Sequence, residues 1–163
     1  MGASNNIVAE ATDRVLVITR VFDAPRELVW KAWTEPEQMV KWHGPRGFTS
    51  TIELMERWPG GRYRIRMHGP DGDHWTQGIN REMIPPERLV IEGCWADAEG
   101  RPVGPDTTVT ITLEDIGGKT RLTLHQALFE SVTARDGHQF GWNSALDCLA
   151  EYLAARSLGA YIA

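Results

Sequence analysis

The chain has 163 residues, room for one domain, and its 42% hydrophobic and 24% charged residues exclude a disordered or fibrous protein. Seven Trp, three Tyr and four Phe supply a sizeable core, and a formal charge of −5 argues against a nucleic-acid binder that works by neutralising phosphates.

No apolar run approaches the length of a membrane span, and the first residues (MGASNNIVAEATDR) lack the basic and apolar regions of a signal peptide, so a cytoplasmic location is expected. Cys94 and Cys148 have no CxxC spacing and read as buried free thiols. Residues 1–13 are small, polar and aperiodic and are expected to form a flexible tail. One domain is expected over residues 14–158, with residues 159–163 as a C-terminal tail.

In chain order, Arg14 to Phe22 alternates as a strand. Pro25 occupies a first helical position with Glu27 in the first turn, and Leu28, Val29, Ala32 and Trp33 share one face of a short helix. Thr34 and Glu37 have capping-box spacing, which predicts a second short helix to about Trp42, ended by His43-Gly44-Pro45. From Phe48 the period changes to two. Strands are expected over Phe48 to Glu56, Arg62 to His68, His74 to Ile84 and Leu89 to Trp95, and then in a hairpin of Thr107 to Glu114 with Thr120 to Gln126. Pro59-Gly60-Gly61, Gly69-Pro70-Asp71-Gly72 and Gly117-Gly118 mark the turns. Val132 to Arg156 is helical by period, with His138, Trp142, Ala145, Leu146, Leu149 and Leu153 on one stripe and Thr133 as the expected N-cap. Gly137 and Gly141 each cost about 1 kcal/mol inside that helix, which predicts a packing reason such as a close strand or a bend.

These elements predict an α+β fold: a curved antiparallel sheet of about six to seven strands wrapped on a long C-terminal helix, with two short helices after the first strand. A straight rod against a twisted sheet leaves space beside the contact line, so an internal cavity is expected, and such cavities usually hold ligands.

Four segments, VFDAPRELVWKAWTEPEQMVKWHGP, WPGGRYRIRMHGPDG, REMIPPERLVIEG and GWNSALDCLAEYL, resemble the ordered motifs of the START-like (SRPBCC, helix-grip) superfamily. Within it the chain is similar to the branch named after the C-terminal domain of the activator of Hsp90 ATPase. The resemblance covers roughly Val15 to Ala155 and implies the helix-grip (START/Bet v 1-like) fold. For activity it implies a range: lipid binders, polyketide cyclases and aromatases, hormone receptors and bacterial proteins of unassigned role. His43 stands where family members often carry a second Trp. The eukaryotic activator has a further N-terminal domain with no counterpart in this sequence, which weakens a co-chaperone reading.

Catalytic motifs are absent: no HExxH, GxSxG or GxGxxG and no metal-spaced His/Cys cluster, so no catalytic residue, metal or cofactor is expected. Trp42, Tyr63, Trp75, Trp95 and Trp142 are candidate cavity walls. Trp75, Gln77, Ile79, Arg81 and Met83 share a strand face. If that face is inward, Arg81 must pair internally, with Glu53 as the candidate, reach water or meet an anionic ligand. His138 lies on the apolar stripe of Trp142 and Leu146, whereas parity puts His74 and His125 on the solvent face. Arg62, Arg64 and Arg66 form an outer-face stripe, an ordinary solvated face ahead of a dimer surface.

The expected function is binding of a small hydrophobic or amphipathic molecule between the long helix and Tyr63, Met67, Trp75, Gln77, Ile79, Trp95 and Trp142. The alternatives are an enzyme of the cyclase, dehydratase or hydrolase type using His138 and Arg81, and an Hsp90-type chaperone-associated module acting through the arginine stripe. Edge strands leave room for a homodimer.

Overall fold

A computed structural model describes the backbone of residues 14–162 and the side chains through residue 156. The expected tail over residues 1–13 lies outside the described residues. Seven strands form one antiparallel sheet: β1 (Leu16–Phe22), β2 (Thr49–Met55), β3 (Arg62–Gly69), β4 (Gly72–Ile84), β5 (Arg88–Ala96), β6 (Thr107–Ile116) and β7 (Lys119–Ala127). Their spatial order is β1-β7-β6-β5-β4-β3-β2, so every hairpin pairs neighbours and only β1 joins from afar. Helices α1 (Arg26–Thr34) and α2 (Pro36–Met39) follow β1, and α3 (Val132–Ile162) follows β7.

Two caps differ from the sequence reading. Thr34 is the last residue of α1 and its hydroxyl donates to the Trp30 carbonyl at 2.8 Å, so α2 starts on Glu35 and Pro36 instead. Ser131 caps α3 by accepting the Ala134 N–H at 3.0 Å; Thr133 is already inside the helix. The helix continues to Ile162, past the expected domain end.

The interior divides in two along α3. Its second half carries Leu146, Leu149 and Leu153, which join Leu16 and Ile18 of β1, Ile111 of β6, and Leu122 and Leu124 of β7 in one buried cluster with Val29 of α1. Fully burying each such side chain is worth roughly 1.5–3 kcal/mol, and each of these is 7% exposed or less. The first half faces β3, β4 and β5 with Ala134, Gly137, Gly141 and Ala145, side chains too short to reach the sheet. That half is hollow.

Candidate functional site

A cavity of about 710 Å³ lies between the first half of α3 and the concave face of β3–β5, within the range of small-molecule sites. Its wall is mostly apolar, with Ile65, Met67, Met83, Leu89, Ile91 and Val109 along the sheet. A built Cβ on Gly137 would meet nothing within 4 Å, and one on Gly141 only Pro45 Cγ at 3.7 Å. Neither glycine makes the close strand approach the sequence suggested; they leave volume open.

Glycines on the sheet act in the opposite way. Tyr63 pairs with Gly78, and Gly78 with Gly93, in one row across β3, β4 and β5. A Cβ on Gly93 would collide with the Tyr63 phenol oxygen, and one on Gly78 with the Glu92 carbonyl. The phenol ring can therefore lie against the sheet and line the cavity. Burial, the largest influence, pushes the Tyr63 pKa up to about 12, with a hydrogen bond to Thr76 opposing it, so the group is a neutral phenol.

Three indoles pack together at one side of the wall. Trp33 packs on Trp142 at 5.7 Å between ring centroids and edge-on to Trp42 at 4.7 Å. Trp42 Nε1 donates to the Ala32 carbonyl at 2.9 Å, and Trp142 Nε1 to Gln126 Oε1 at 2.8 Å. Gln126 in turn donates to Thr107 Oγ1 at 2.9 Å. Trp33 Nε1 is the buried side-chain polar atom without a hydrogen-bond partner among the described residues, at a cost of roughly 1–3 kcal/mol.

The start of α3 is tied to the end of β5 by one polar clasp. His138 Nδ1–H donates to the Ala134 carbonyl at 2.9 Å, which leaves Nε2 to accept the Trp95 Nε1–H at 3.1 Å; the bonding network assigns this tautomer. Ring contacts extend the clasp through Phe129, His138, Trp95, His74 and Phe48, with centroid separations of 4.9, 5.7, 6.4 and 6.4 Å in that order. His74 and Trp95 are exposed, so this chain of rings runs along a rim of the cavity.

His43 also lines the wall. Its Nδ1 lies 3.1 Å from Ser50 Oγ, and Ser50 donates to the His43 carbonyl at 3.1 Å, so Nδ1 carries the proton and the ring is neutral. Burial lowers its pKa to about 4. Burial, then Asp106, raises the pKa of the Cys94 thiol, which favours its protonated form.

Of the residues singled out from sequence, Tyr63, Met67, Trp95, His138 and Trp142 meet on this wall. Trp42 and Leu146 are buried behind it in the core. Trp75, Gln77, Ile79 and Arg81 do not face the cavity, which corrects the inward reading of that strand face. These four alternate regularly on the outer face, because period two groups them without saying which face they take. Asn80 pairs with Ile91 and Glu82 with Val90, so Arg81 is an extra residue, and this bulge turns only Met83 of the set inward. Thr76, Asn80 and Met83 are the inward residues.

On the outer face, Arg64 and Arg66 stack over the Trp75 ring at 5.7 and 5.2 Å from its centroid, and Gln77 accepts from Arg64 and donates to the Gly100 carbonyl. Arg81 pairs with Glu92 at 2.9 Å, not with Glu53, which belongs to Arg64 at 2.8 Å. An enzyme site that joins Arg81 to His138 is therefore ruled out by their placement on opposite faces. His125 is exposed as expected, but His74 belongs to the rim rather than the outer face. The sequence reading missed Gln126, although its parity with Leu122 and Leu124 marked it as a lone inward polar group.

Among the described residues no group of three His, Cys, Asp or Glu side chains could hold a metal ion, and no helix is long and apolar enough to cross a membrane.

A seven-stranded antiparallel sheet gripping one long C-terminal helix, with two short helices after the first strand and a hollow under the helix start, defines the helix-grip class of protein. The chain belongs to the family described as Activator of Hsp90 ATPase homolog 1-like protein, whose profile matches residues 23–154. It is similar to a solved protein from Arthrobacter aurescens at 29% identity and a TM-score of 0.81, covering 89% of this chain and 88% of that one. It is also similar to protein CV1439 from Chromobacterium violaceum, at 26% identity and a TM-score of 0.77 over 85% of this chain and 95% of that one. The AHSA1 protein from Silicibacter pomeroyi shares the fold at 23% identity and a TM-score of 0.77, covering 87% of this chain and 99% of that one. No curated protein matches the chain.

Proposed function

We propose that the chain binds a small hydrophobic or amphipathic molecule in the cavity between α3 and the sheet, without catalysing a reaction on it. The observation that carries this reading is the hollow itself: about 710 Å³ of mostly apolar space under a helix start that carries Gly137 and Gly141 instead of larger side chains. Catalysis is disfavoured by the state of the wall's reactive groups. Both His138 nitrogens are engaged, His43 is a weak base and Cys94 is a protonated thiol. A chaperone-associated role, to which the family's description points, would use the outer sheet face; there Arg62, Arg64 and Arg66 are already neutralised by Glu56, Glu53 and Asp73.

The test is native mass spectrometry of freshly purified protein, together with a tryptophan-fluorescence screen against fatty acids and polyphenols. Trp33, Trp95 and Trp142 line the wall, so an occupant should shift or quench emission saturably. Absence of binding by every apolar probe would overturn the proposal.

A further inference from the structure

The chain carries fourteen arginines. Four on the outer sheet face hold carboxylates: Arg62 with Glu56, Arg64 with Glu53, Arg66 with Asp73, and Arg81 with Glu92. The others also have partners, with one exception. Among the described residues Arg57 alone has no carboxylate, carbonyl, hydroxyl or ring against its guanidinium. Among the described residues Arg57 is also the only Arg or Lys on the cavity wall. In a chain that pairs its guanidinium groups this consistently, the one without a partner at the edge of an apolar hollow is free to hold an anion.

The backbone around Arg57 is held in place. The Asn80 amide donates to the Glu56 carbonyl at 3.0 Å, and the Asn80 main chain bonds Gly60 and Gly61 at 2.6 and 2.8 Å. These bonds fix the β2–β3 turn on the wall residue Asn80, beside the apolar Met55 and Met83. Both nearby carboxylates are taken, Glu56 by Arg62 and Glu53 by Arg64, so neither competes for Arg57. Glu130, the acidic wall residue, lies between β7 and α3, whereas Arg57 follows β2 at the opposite edge of the sheet. The wall thus carries one fixed positive charge and one fixed negative charge on segments that leave distant strands, which gives the cavity a polarity.

We propose that the ligand is an amphipathic monocarboxylate, an alkyl or aryl acid whose carboxylate is held by the Arg57 guanidinium while its apolar body fills the cavity. The planar fork of Arg suits a carboxylate, and its single charge matches a single anionic head. The exposure of Arg57 lets the head stay partly hydrated, so only the tail must leave water. This inference rests on the cavity being a ligand site, and the experiment separates the two ideas.

Calorimetric titration of the full chain with dodecanoate against 1-dodecanol, and with 2-naphthylacetate against 2-(2-naphthyl)ethanol, compares acid and alcohol on the same carbon skeleton. Wild type should prefer each acid by about tenfold, the scale of a partly solvated charge-assisted hydrogen-bond pair. That preference should shrink as salt is raised. Arg57→Gln should bring the two affinities together by weakening only the acid, and Arg57→Lys should restore part of the preference. Arg81→Gln, on the outer face, should leave the ratio at its wild-type value. Equal binding of acid and alcohol to wild type, or a preference that survives Arg57→Gln, would overturn the inference and leave the cavity reading standing. Failure of all four probes to bind would overturn both.

Discussion

His43 shows how one residue can set a stability profile. Its neutral ring is held between Ser50 and the cavity, and burial lowers its pKa from 6.5 to about 4. The unfolded chain therefore binds a proton at a higher pH than the folded one does. The contribution is fully present above pH 6.5 and is lost as pH falls towards 4, about 3 kcal/mol over the whole interval. The depressed carboxylate pKa values of Glu56 and Glu92, set first by their hydrogen bonds to Arg62 and Arg81, make their own contributions at lower pH. Urea unfolding between about pH 5 and 6.5 lies above the carboxylate range, and comparison with a His43 variant separates this residue from the other four histidines. His43→Gln should unfold with a flatter pH dependence than wild type in that window. Parallel profiles for the two proteins would show that His43 is already solvated in the folded state.

At the scale of elements, glycines in the sheet and in the helix should respond with opposite signs. Gly93→Ala puts a methyl group into the Tyr63 phenol and the Gln77 carbonyl, so it should destabilise by at least about 2 kcal/mol. Gly141→Ala meets only Pro45 Cγ, at an ordinary contact distance of 3.7 Å, and gains helix propensity, so it should stabilise by up to about 1 kcal/mol. Thermal unfolding of the two variants checks both; destabilisation by Gly141→Ala would mean that Pro45 leaves no room for a methyl group at the helix start. These elements were legible in the sequence because burial on one face writes a period of two or 3.6, as in Leu122 and Leu124 or in Leu146, Leu149 and Leu153. The wall of the site was less legible. Period two groups Trp75, Gln77, Ile79 and Arg81 but does not say which face they take, and the extra residue at Arg81 that turns Met83 inward has no local signal. Trp75 misled for another reason: its apolar ring is covered from outside by Arg64 and Arg66, so it needs no core. Arg57 carried no signal at all, since its distinction is the lack of a partner, which only the folded chain reveals.

For the whole molecule, the division of α3 into a packed half and a hollow half predicts uneven dynamics. Leu146, Leu149 and Leu153 are locked into the cluster of β1, β6 and β7, so their amides should open only with global unfolding. Residues 134–142 lie over empty volume and are held chiefly by the Trp95–His138 clasp, the Phe129 ring and the Trp142–Gln126 bond. Hydrogen exchange should be faster there under native conditions. Trp95→Ala removes the clasp, worth on the order of 1–2 kcal/mol, and should speed exchange over residues 134–142 by about tenfold while leaving Leu146–Leu153 unchanged. A bound ligand should do the reverse, because it supplies the contacts that the glycines withhold. Equal acceleration along the whole helix would mean that α3 opens as one unit, and the first half could not then act as the door through which a ligand enters.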